Sequence, residues 1–176
     1  MDCYESLLEA DLSRYGGKKK AGRYLSRFHR LFRKACTTQN PIIQAWYRFL
    51  LSKHSAKHHL EIGYQCKIGK GLYLGHSYNI TVNPHAVIGQ YCTLNKGVTI
   101  GRENRGCRKG APTIGNKVWI GANSTVVGNI NIGDDVLIAS NTLVNHDIPS
   151  HSIVIGNPCI IKPSKNATQD YITIPE

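Results

Sequence analysis

One histidine stands where it can do chemistry. His76 lies in the stretch GLYLGHSYNITVNPHAVIG, residues 71–89. Imidazole titrates near neutral pH, and as a general base it accelerates the attack of a hydroxyl by typically about 10²–10⁴-fold. A carboxylate such as Glu61 on the other ring nitrogen would fix the tautomer. His76 therefore predicts general-base catalysis on a hydroxyl group.

The elements that must position His76 form a six-residue repeat beginning after Leu60. Each unit has Ile, Leu or Val first, commonly followed by Gly, which favours a short strand with its aliphatic side chain inward and a tight turn. Three units make one triangular coil, and several coils must stack to bury a core. We expect a parallel β-helix of about four coils, with His76 on an outward-facing turn. The first positions are 62, 68, 74, 80, 88, 94, 100, 114, 120, 126, 132, 138 and 144.

Two insertions interrupt the repeat, and insertions in a solenoid form outer loops that commonly carry function. We place two extra residues around Asn83-Pro84-His85 and eight between Gly101 and Ile114. The longer loop, residues 102–113, predicts either a flexible polar loop or a basic flap over an anionic ligand, since guanidinium and ammonium groups attract phosphates. Its cations are Arg102, Arg105, Arg108 and Lys109, against the single acid Glu103.

The other histidines and the cysteines receive weaker assignments. We expect His85 to lie close enough to His76 to assist it or to contact substrate, with Asn83 beside it. His146 shares the phase of His76 near the end of the repeat, where exposure to solvent is expected. The spacing of these three histidines lacks the compact pairing of a metal site, and no metal is expected. Cys66 and Cys92 occupy fifth positions, which predicts core packing rather than nucleophilic catalysis.

Composition bounds the class of protein. The 176 residues predict one domain, and the six cysteines, without a CxxC pair, indicate either a disulfide framework or, as we favour, reduced thiols. The N-terminal MDCYESLLEADL has no apolar stretch typical of a signal peptide, and no apolar run approaches the ~20 residues that span a bilayer. We expect a cytoplasmic protein, either free or peripheral at the inner membrane face.

The N-terminal segment, residues 1–59, is predicted to be helical and basic. Residues 12–60 contain no Asp or Glu, and GGKKKAGRYLSRFHRLFRKA predicts a helix with Leu25, Phe28 and Phe32 on one side. Its basic face indicates either a solvated surface or attraction to anionic lipid or glycan. Nucleic acid is the third alternative, and no recognition motif accompanies the charge.

The repeat resembles the hexapeptide-repeat acyltransferases with a left-handed β-helix, in particular the serine acetyltransferase-like branch. The segments that carry the resemblance are EIGYQCKIGKGLYLGH, NKGVTIG, PTIGNKVWIGANSTVVGNINIG and VIGNPCII, and DLSRY near the N-terminus is also similar. NRGCRKGAPTIG and IGNPCIIKP resemble relatives from capsule and exopolysaccharide clusters. The likeness covers about residues 60–162 and implies a left-handed helix and a homotrimer with active sites shared between neighbours.

The resemblance assigns roles to individual residues. His76 matches the catalytic general base, and Glu61 matches the aspartate that pairs with it. Gly101, Ala122 and Ser140 match positions along the coenzyme A channel, and we add Lys109 and Lys162 as cations for its phosphates. The chain departs from the branch at Gly75, Gly110 and Ala111, which replace an aspartate, an arginine and a histidine. Arg108 joins Asn83 and His85 as candidate substrate-binding residues.

These inferences predict an acetyl-CoA-dependent O-acetyltransferase. The missing aspartate and arginine recognise serine in the branch, and its members usually carry a longer helical N-terminal domain. We therefore expect a sugar hydroxyl of surface polysaccharide biosynthesis as acceptor. Serine O-acetylation in cysteine biosynthesis and a non-catalytic β-helical scaffold are the alternatives. The expected organisation is a helical segment (1–59), a β-helix (60–150) and a C-terminal exit segment (151–176).

Overall fold

The computed structural model describes residues 3–174, so the first two and last two residues of the predicted terminal segments lie outside it. Three helices, α1 (Tyr4–Ser13), α2 (Lys18–Thr37) and α3 (Pro41–Lys57), precede the strands. Helix α3 begins after Asn40, whose side chain accepts the backbone N–H groups of Ile42 and Ile43. Within the described residues, none of the helices has the length and apolar character needed to cross a bilayer.

Fifteen short strands follow within the described residues, and fourteen of them wind into three parallel sheets. The first sheet has the order β1-β4-β7-β10-β13, the second β11-β8-β5-β2 and the third β14-β12-β9-β6-β3, to which β15 adds an antiparallel edge. The strands are β1 (Leu60–Ile62), β2 (Lys67–Ile68), β3 (Tyr73–Gly75), β4 (Ile80–Val82), β5 (Val87–Ile88), β6 (Thr93–Asn95), β7 (Thr99–Gly101), β8 (Thr113–Ile114), β9 (Trp119–Ile120), β10 (Thr125–Val127), β11 (Asn131–Ile132), β12 (Val136–Ile138), β13 (Leu143–Val144), β14 (Ser152–Ile155) and β15 (Ile160–Pro163).

The core is a stack of aliphatic side chains from successive coils. In the first sheet the strand register aligns buried aliphatic residues in all five strands. The prediction of a left-handed parallel β-helix preceded by a helical segment is confirmed, and five coils are present instead of about four. The aligned residues of the first sheet are Ile62, Val82, Ile100, Val126 and Val144.

The two-residue insertion lies at a different turn from the one predicted. Ile62 pairs with Val82 and Val82 with Ile100, so the coil of twenty residues is the first one. The extra length therefore falls between Leu74 and Val82, in the turn 76–79, and not around Asn83-Pro84-His85. Ile80 and Val82 are both buried, so the sequence pattern is compatible with either residue as the first position of this repeat unit.

The predicted boundary at residue 150 also shifts. β14 pairs in parallel with β12 over Ser152–Ile155 and completes the last coil. Only then does the chain reverse into β15, which runs antiparallel to β14. The exit segment thus begins after Ile155.

The cysteines behave as small core residues or surface thiols. Cys66 and Cys92 are buried as predicted, and burial raises the pKa of the Cys66 thiol to about 11 and that of Cys92 to about 12. All six cysteines fall within the described residues, and all six are free thiols. No disulfide joins two cysteines in residues 3–174, and the expectation of reduced thiols stays a prediction.

Helices α1 and α2 are attached to the first coil by a buried polar network. The Arg33 guanidinium donates to both carboxylate oxygens of Asp11 at 2.8 Å and to the carbonyls of Ile68 and Gly69 at 2.7 Å. Asp11 also accepts the backbone N–H of Leu72 at 2.9 Å. Because both charged side chains are buried, this charge pair ties the helices to the segment that leads to His76.

Candidate active site

His76 occupies the lengthened turn between β3 and β4. Its backbone adopts the left-handed conformation (φ 48°), and its side chain is exposed, as predicted for an outward-facing turn. The preceding Gly75 packs against the Asn95 side chain, whose amide donates to the Ile120 carbonyl at 2.8 Å. A side chain at position 75 would collide with Asn95, so the absence of the family aspartate beside His76 has a local steric reason.

Two other predicted residues lie on the same edge of the prism as His76. We name this edge the histidine edge; it consists of the turns 76–79, 96–98, 121–124 and 139–142, all leading from the third sheet to the first. Ala122 and Ser140 occupy its third and fourth turns. Backbone hydrogen bonds from Gly97 to Tyr78, Asn123 to Lys96 and Asn141 to Ala122, at 2.9–3.0 Å, join the turns in order. The histidine edge therefore presents His76 at one end and Ala122 and Ser140 further along.

Glu61 does not contact His76 in this arrangement. Its carboxylate is exposed on the outer face of β1 and accepts the hydroxyl of Thr81 on neighbouring β4 at 3.2 Å. Among the described residues no hydrogen bond or ion pair joins Glu61 to His76. Glu61 instead lines a cavity of about 1030 Å³ between α3 and strands β1 and β4, together with Asn83. The expected carboxylate–imidazole pairing is thus not formed.

His85 and Asn83 lie on another edge. We name it the loop edge; it consists of the turns 63–66, 83–86, 102–112, 128–130 and 145–147, which lead from the first sheet to the second. The Asn83 side chain accepts the His85 backbone N–H at 3.0 Å, and His85 borders a smaller cavity of about 420 Å³. The expectation that His85 lies close to His76 is corrected, because strand β4 separates their two edges. His146 is also on the loop edge, and it is exposed as expected.

The loop 102–113 is a braced hairpin. Glu103 and Gly110 exchange two backbone hydrogen bonds at 2.9 Å, and the Glu103 carboxylate accepts the N–H groups of Asn104 and Arg105. The Arg108 carbonyl accepts Asn129 N–H at 2.9 Å, which fixes the tip to the next coil. The four cations of the loop are exposed, and none forms an ion pair with an acid within residues 3–174. The alternative of a flexible loop is therefore disfavoured, and a fixed cationic surface remains.

The remaining coenzyme A candidates are dispersed. Gly101 ends β7 and opens the loop, and Lys109 lies on that loop, so both belong to the loop edge. Lys162 lies on β15, paired with Ile153 at the outer edge of the third sheet. Within one chain, Ala122 and Ser140 lie on the same edge as His76. Gly101 and Lys109 lie on the same edge as Arg108. The coenzyme A candidates therefore fall on two separate edges.

Two contacts of this region were not predicted from the sequence. Thr81 holds Glu61, and the register that aligns them depends on where the two-residue insertion falls. Tyr15 accepts the Leu74 N–H at 2.7 Å and stacks on Tyr73 at 4.4 Å between ring centroids. The DLSRY segment, which contains Tyr15 and Asp11, was the only signal for that second contact.

Comparisons with known proteins agree with this geometry. Residues 111–146 match the family model described as bacterial transferase hexapeptide (six repeats). Serine acetyltransferase 4 of Arabidopsis thaliana is 38% identical over 109 residues, which are 62% of this chain and 31% of that protein. This chain carries hexapeptide repeats and is similar to serine acetyltransferases. It spans less than two thirds of the length of the curated relatives that it matches.

Solved structures show the same relationship. The apoenzyme of soybean serine acetyltransferase superposes with a TM-score of 0.77 at 25% identity, over 90% of this chain and 69% of that one. A serine acetyltransferase in complex with CoA superposes with a TM-score of 0.75 at 22% identity over the same shares of the two chains, a likeness of fold. These names agree with the predicted enzyme class, an acyltransferase.

The prediction of a sugar acceptor is wrong. The relatives and the structural neighbours are named serine acetyltransferases, and this favours the alternative acceptor, serine. The closeness to capsule and exopolysaccharide enzymes was inferred from loop segments that hold few of the repeat's defining residues. The comparisons do not show that closeness.

Proposed function

We propose that this protein transfers an acetyl group from acetyl-CoA to the hydroxyl of serine. The observation that carries the proposal is the exposed His76 on the lengthened turn of the histidine edge, with Ala122 and Ser140 on the turns beyond it. The similarity to serine acetyltransferases supports the acceptor, and the neighbour solved with CoA supports the donor. An outward imidazole beside a row of exposed backbone turns suits a reaction between two small molecules.

In the proposed reaction His76 acts as the general base. Its imidazole takes the proton of the serine hydroxyl while the oxygen attacks the thioester carbonyl. The tetrahedral oxyanion then collapses, the bond from carbon to sulfur breaks, and the CoA thiolate takes the proton back from the imidazolium. O-acetylserine and CoA are the products, and the base is regenerated. A hydroxyl is a poor nucleophile without this help, so the reaction depends on His76.

The charged groups of serine need partners other than those of the family pattern. Gly110 replaces the arginine of the branch, and its backbone (φ 140°) packs so closely on Asn129 that a side chain there would meet the Asn129 Cβ at 2.9 Å. The nearest cations are Arg108 and Lys109 on the same braced hairpin. We propose that Arg108 binds the serine carboxylate, since a guanidinium matches a carboxylate with two parallel hydrogen bonds.

This assignment requires more than one copy of the chain. Arg108 is on the loop edge and His76 on the histidine edge, with the first sheet between them. We propose a homotrimer in which the loop edge of one subunit faces the histidine edge of the next. Cyclic assembly repeats one contact around an axis, so each of the three interfaces then holds one complete site.

Thiol release from acetyl-CoA in the presence of L-serine tests the proposal. We expect turnover by the wild type and a loss of at least ~10²-fold in His76→Ala. His146→Ala is the matched control, since it removes another exposed histidine on the other edge, and it should retain activity. Turnover by His76→Ala equal to the wild type would refute the base assignment. Acetyl-CoA binding without transfer to serine would refute the acceptor, and neither binding nor transfer would favour a scaffold.

A further inference from the structure

The basic character of this protein is concentrated in its N-terminal helices, apart from the cationic loop 102–113. Residues 12–60 hold twelve of the 22 lysines and arginines and none of the 11 acidic residues. Residues 61–176 carry ten basic and seven acidic residues, and the other four acids lie in residues 1–11. Two of the twelve cations are used internally, because Arg33 binds Asp11 and Arg14 donates to the Gly71 carbonyl. The others leave a strongly positive surface on the helices.

Helix α3 exposes an apolar stripe within this positive region. Ile42, Trp46 and Phe49 recur at helical spacing and are 80%, 58% and 51% exposed. Trp46 and Phe49 stack at 5.8 Å between ring centroids. On the opposite side of the helix only Leu51 and Ser55 are buried against the protein. The stripe thus presents apolar side chains to solvent, and Phe49 also borders the cavity between α3 and strands β1 and β4.

The same stripe becomes cationic toward the end of α3. Lys53 and Lys57 continue the spacing of Phe49 by one and two turns, and both are exposed. The Lys53 ammonium lies 5.7 Å from the centre of the Phe49 ring. An exposed face that combines Trp, Phe and Ile with Lys is typical of helices that lie in the interface of an anionic bilayer.

We infer that α3 docks this protein on anionic phospholipid membranes, with Ile42, Trp46 and Phe49 entering the headgroup region and Lys53 and Lys57 contacting lipid phosphates. The positive charge of this surface favours an anionic bilayer over a second copy of the chain as its binding partner. A second copy of the chain would bring two surfaces of like charge together, whereas an anionic bilayer neutralises them. The inference is independent of acetyl transfer, since no residue of the stripe belongs to the proposed active site.

Vesicle sedimentation of the full-length protein tests this inference. The vesicles are phosphatidylcholine alone, or with roughly a quarter phosphatidylglycerol, which supplies the negative surface potential. We expect binding to the anionic vesicles, weakened by salt, and a loss of at least about tenfold in the partition coefficient for Trp46→Ser with Phe49→Ser. Ile160→Ser removes an apolar side chain that is 64% exposed on β15, and this control should bind as the wild type does.

A second readout reports insertion directly. In a Trp119→Phe background Trp46 is the sole tryptophan, and its emission should shift to shorter wavelength on anionic vesicles. Lys53→Gln with Lys57→Gln should weaken binding to anionic vesicles only. Absence of binding, or binding that Trp46→Ser with Phe49→Ser leaves unchanged, would overturn the inference. The inference would also be overturned if the protein did not bind vesicles and light scattering showed that the wild type self-associates whereas Trp46→Ser with Phe49→Ser does not.

Discussion

The Tyr15 hydroxyl accepts the backbone N–H of Leu74 at 2.7 Å, two residues before His76. The hydroxyl is also hydrogen-bonded to Nε2 of His29 at 3.1 Å, and Nδ1 of His29 contacts Asp11 at 3.1 Å. Burial raises the pKa of Tyr15, so the phenol stays protonated across the physiological range. The turn between α1 and α2 thereby holds β3, the last strand before the candidate base.

Tyr15→Phe tests this relationship. The change keeps the ring that stacks on Tyr73 but removes the acceptor, and the buried Leu74 N–H is left without its partner. We expect a loss of about 1–3 kcal/mol in the free energy of unfolding, measured by urea denaturation. The turnover number should also fall while KM for acetyl-CoA changes little. An unchanged unfolding free energy would contradict the role given to this hydrogen bond.

The Asp11 carboxylate makes the free energy of unfolding depend on pH in the acidic range. Burial raises the pKa of Asp11, but hydrogen bonds from His29 and Arg33 outweigh burial, and the pKa lies below its ordinary value. A lowered carboxyl pKa stabilises the fold above the unfolded-state pKa of about 4, and this contribution is lost as the pH falls through the lower folded-state pKa. Urea midpoints measured from neutral pH down to about pH 3 should therefore decrease below about pH 4.

Asp11→Asn removes the charge that Arg33 pairs with. Because Arg33 is 2% exposed, we expect a loss of about 3–5 kcal/mol at neutral pH and a weaker dependence on acid than in the wild type. Asp134→Asn is the control, since that carboxylate is exposed and forms no ion pair within the described part of the chain. Equal acid dependence in Asp11→Asn and the wild type would contradict the assignment to Asp11.

Glu61→Gln separates two roles for this side chain. The carboxylate binds Thr81 in the structure and not His76, and an amide oxygen still accepts the Thr81 hydroxyl. We expect activity to fall less than about tenfold, against at least ~10²-fold for His76→Ala, in the same thiol-release assay. A loss as large as that of His76→Ala would mean that the carboxylate reaches the imidazole during turnover.

Gly75→Asp tests the steric reason for the missing aspartate. The new side chain meets the Asn95 amide, which already donates to the Ile120 carbonyl. We expect a loss of about 1–3 kcal/mol in unfolding free energy, from overpacking. Asn95→Gly combined with Gly75→Asp should recover part of it, which a double-mutant cycle measures. Strictly additive losses would show that the two positions do not interact.

The fold class, the outward turn that holds His76 and the eight-residue insertion in the basic loop 102–113 follow from sequence alone. A strand alternates its side chains with period two, and a run of thirteen aliphatic first positions leaves one solution, a stack of short strands around an aliphatic core. The inward placement of Cys66 and Cys92 follows from the same alternation, because it depends only on local spacing.

Pairing between coils determines where the two-residue insertion falls and which edge of the prism each candidate site residue occupies. Ile80 and Val82 are two residues apart, so both point inward, and local alternation is satisfied by either phase. Only the pairing of Val82 with Ile62 and Ile100 selects one phase. That choice puts the extra residues beside His76, aligns Glu61 with Thr81 and leaves His85 on the other edge. These are contacts between coils, set by hydrogen bonds between residues about twenty positions apart, and local periodicity carries no information about them.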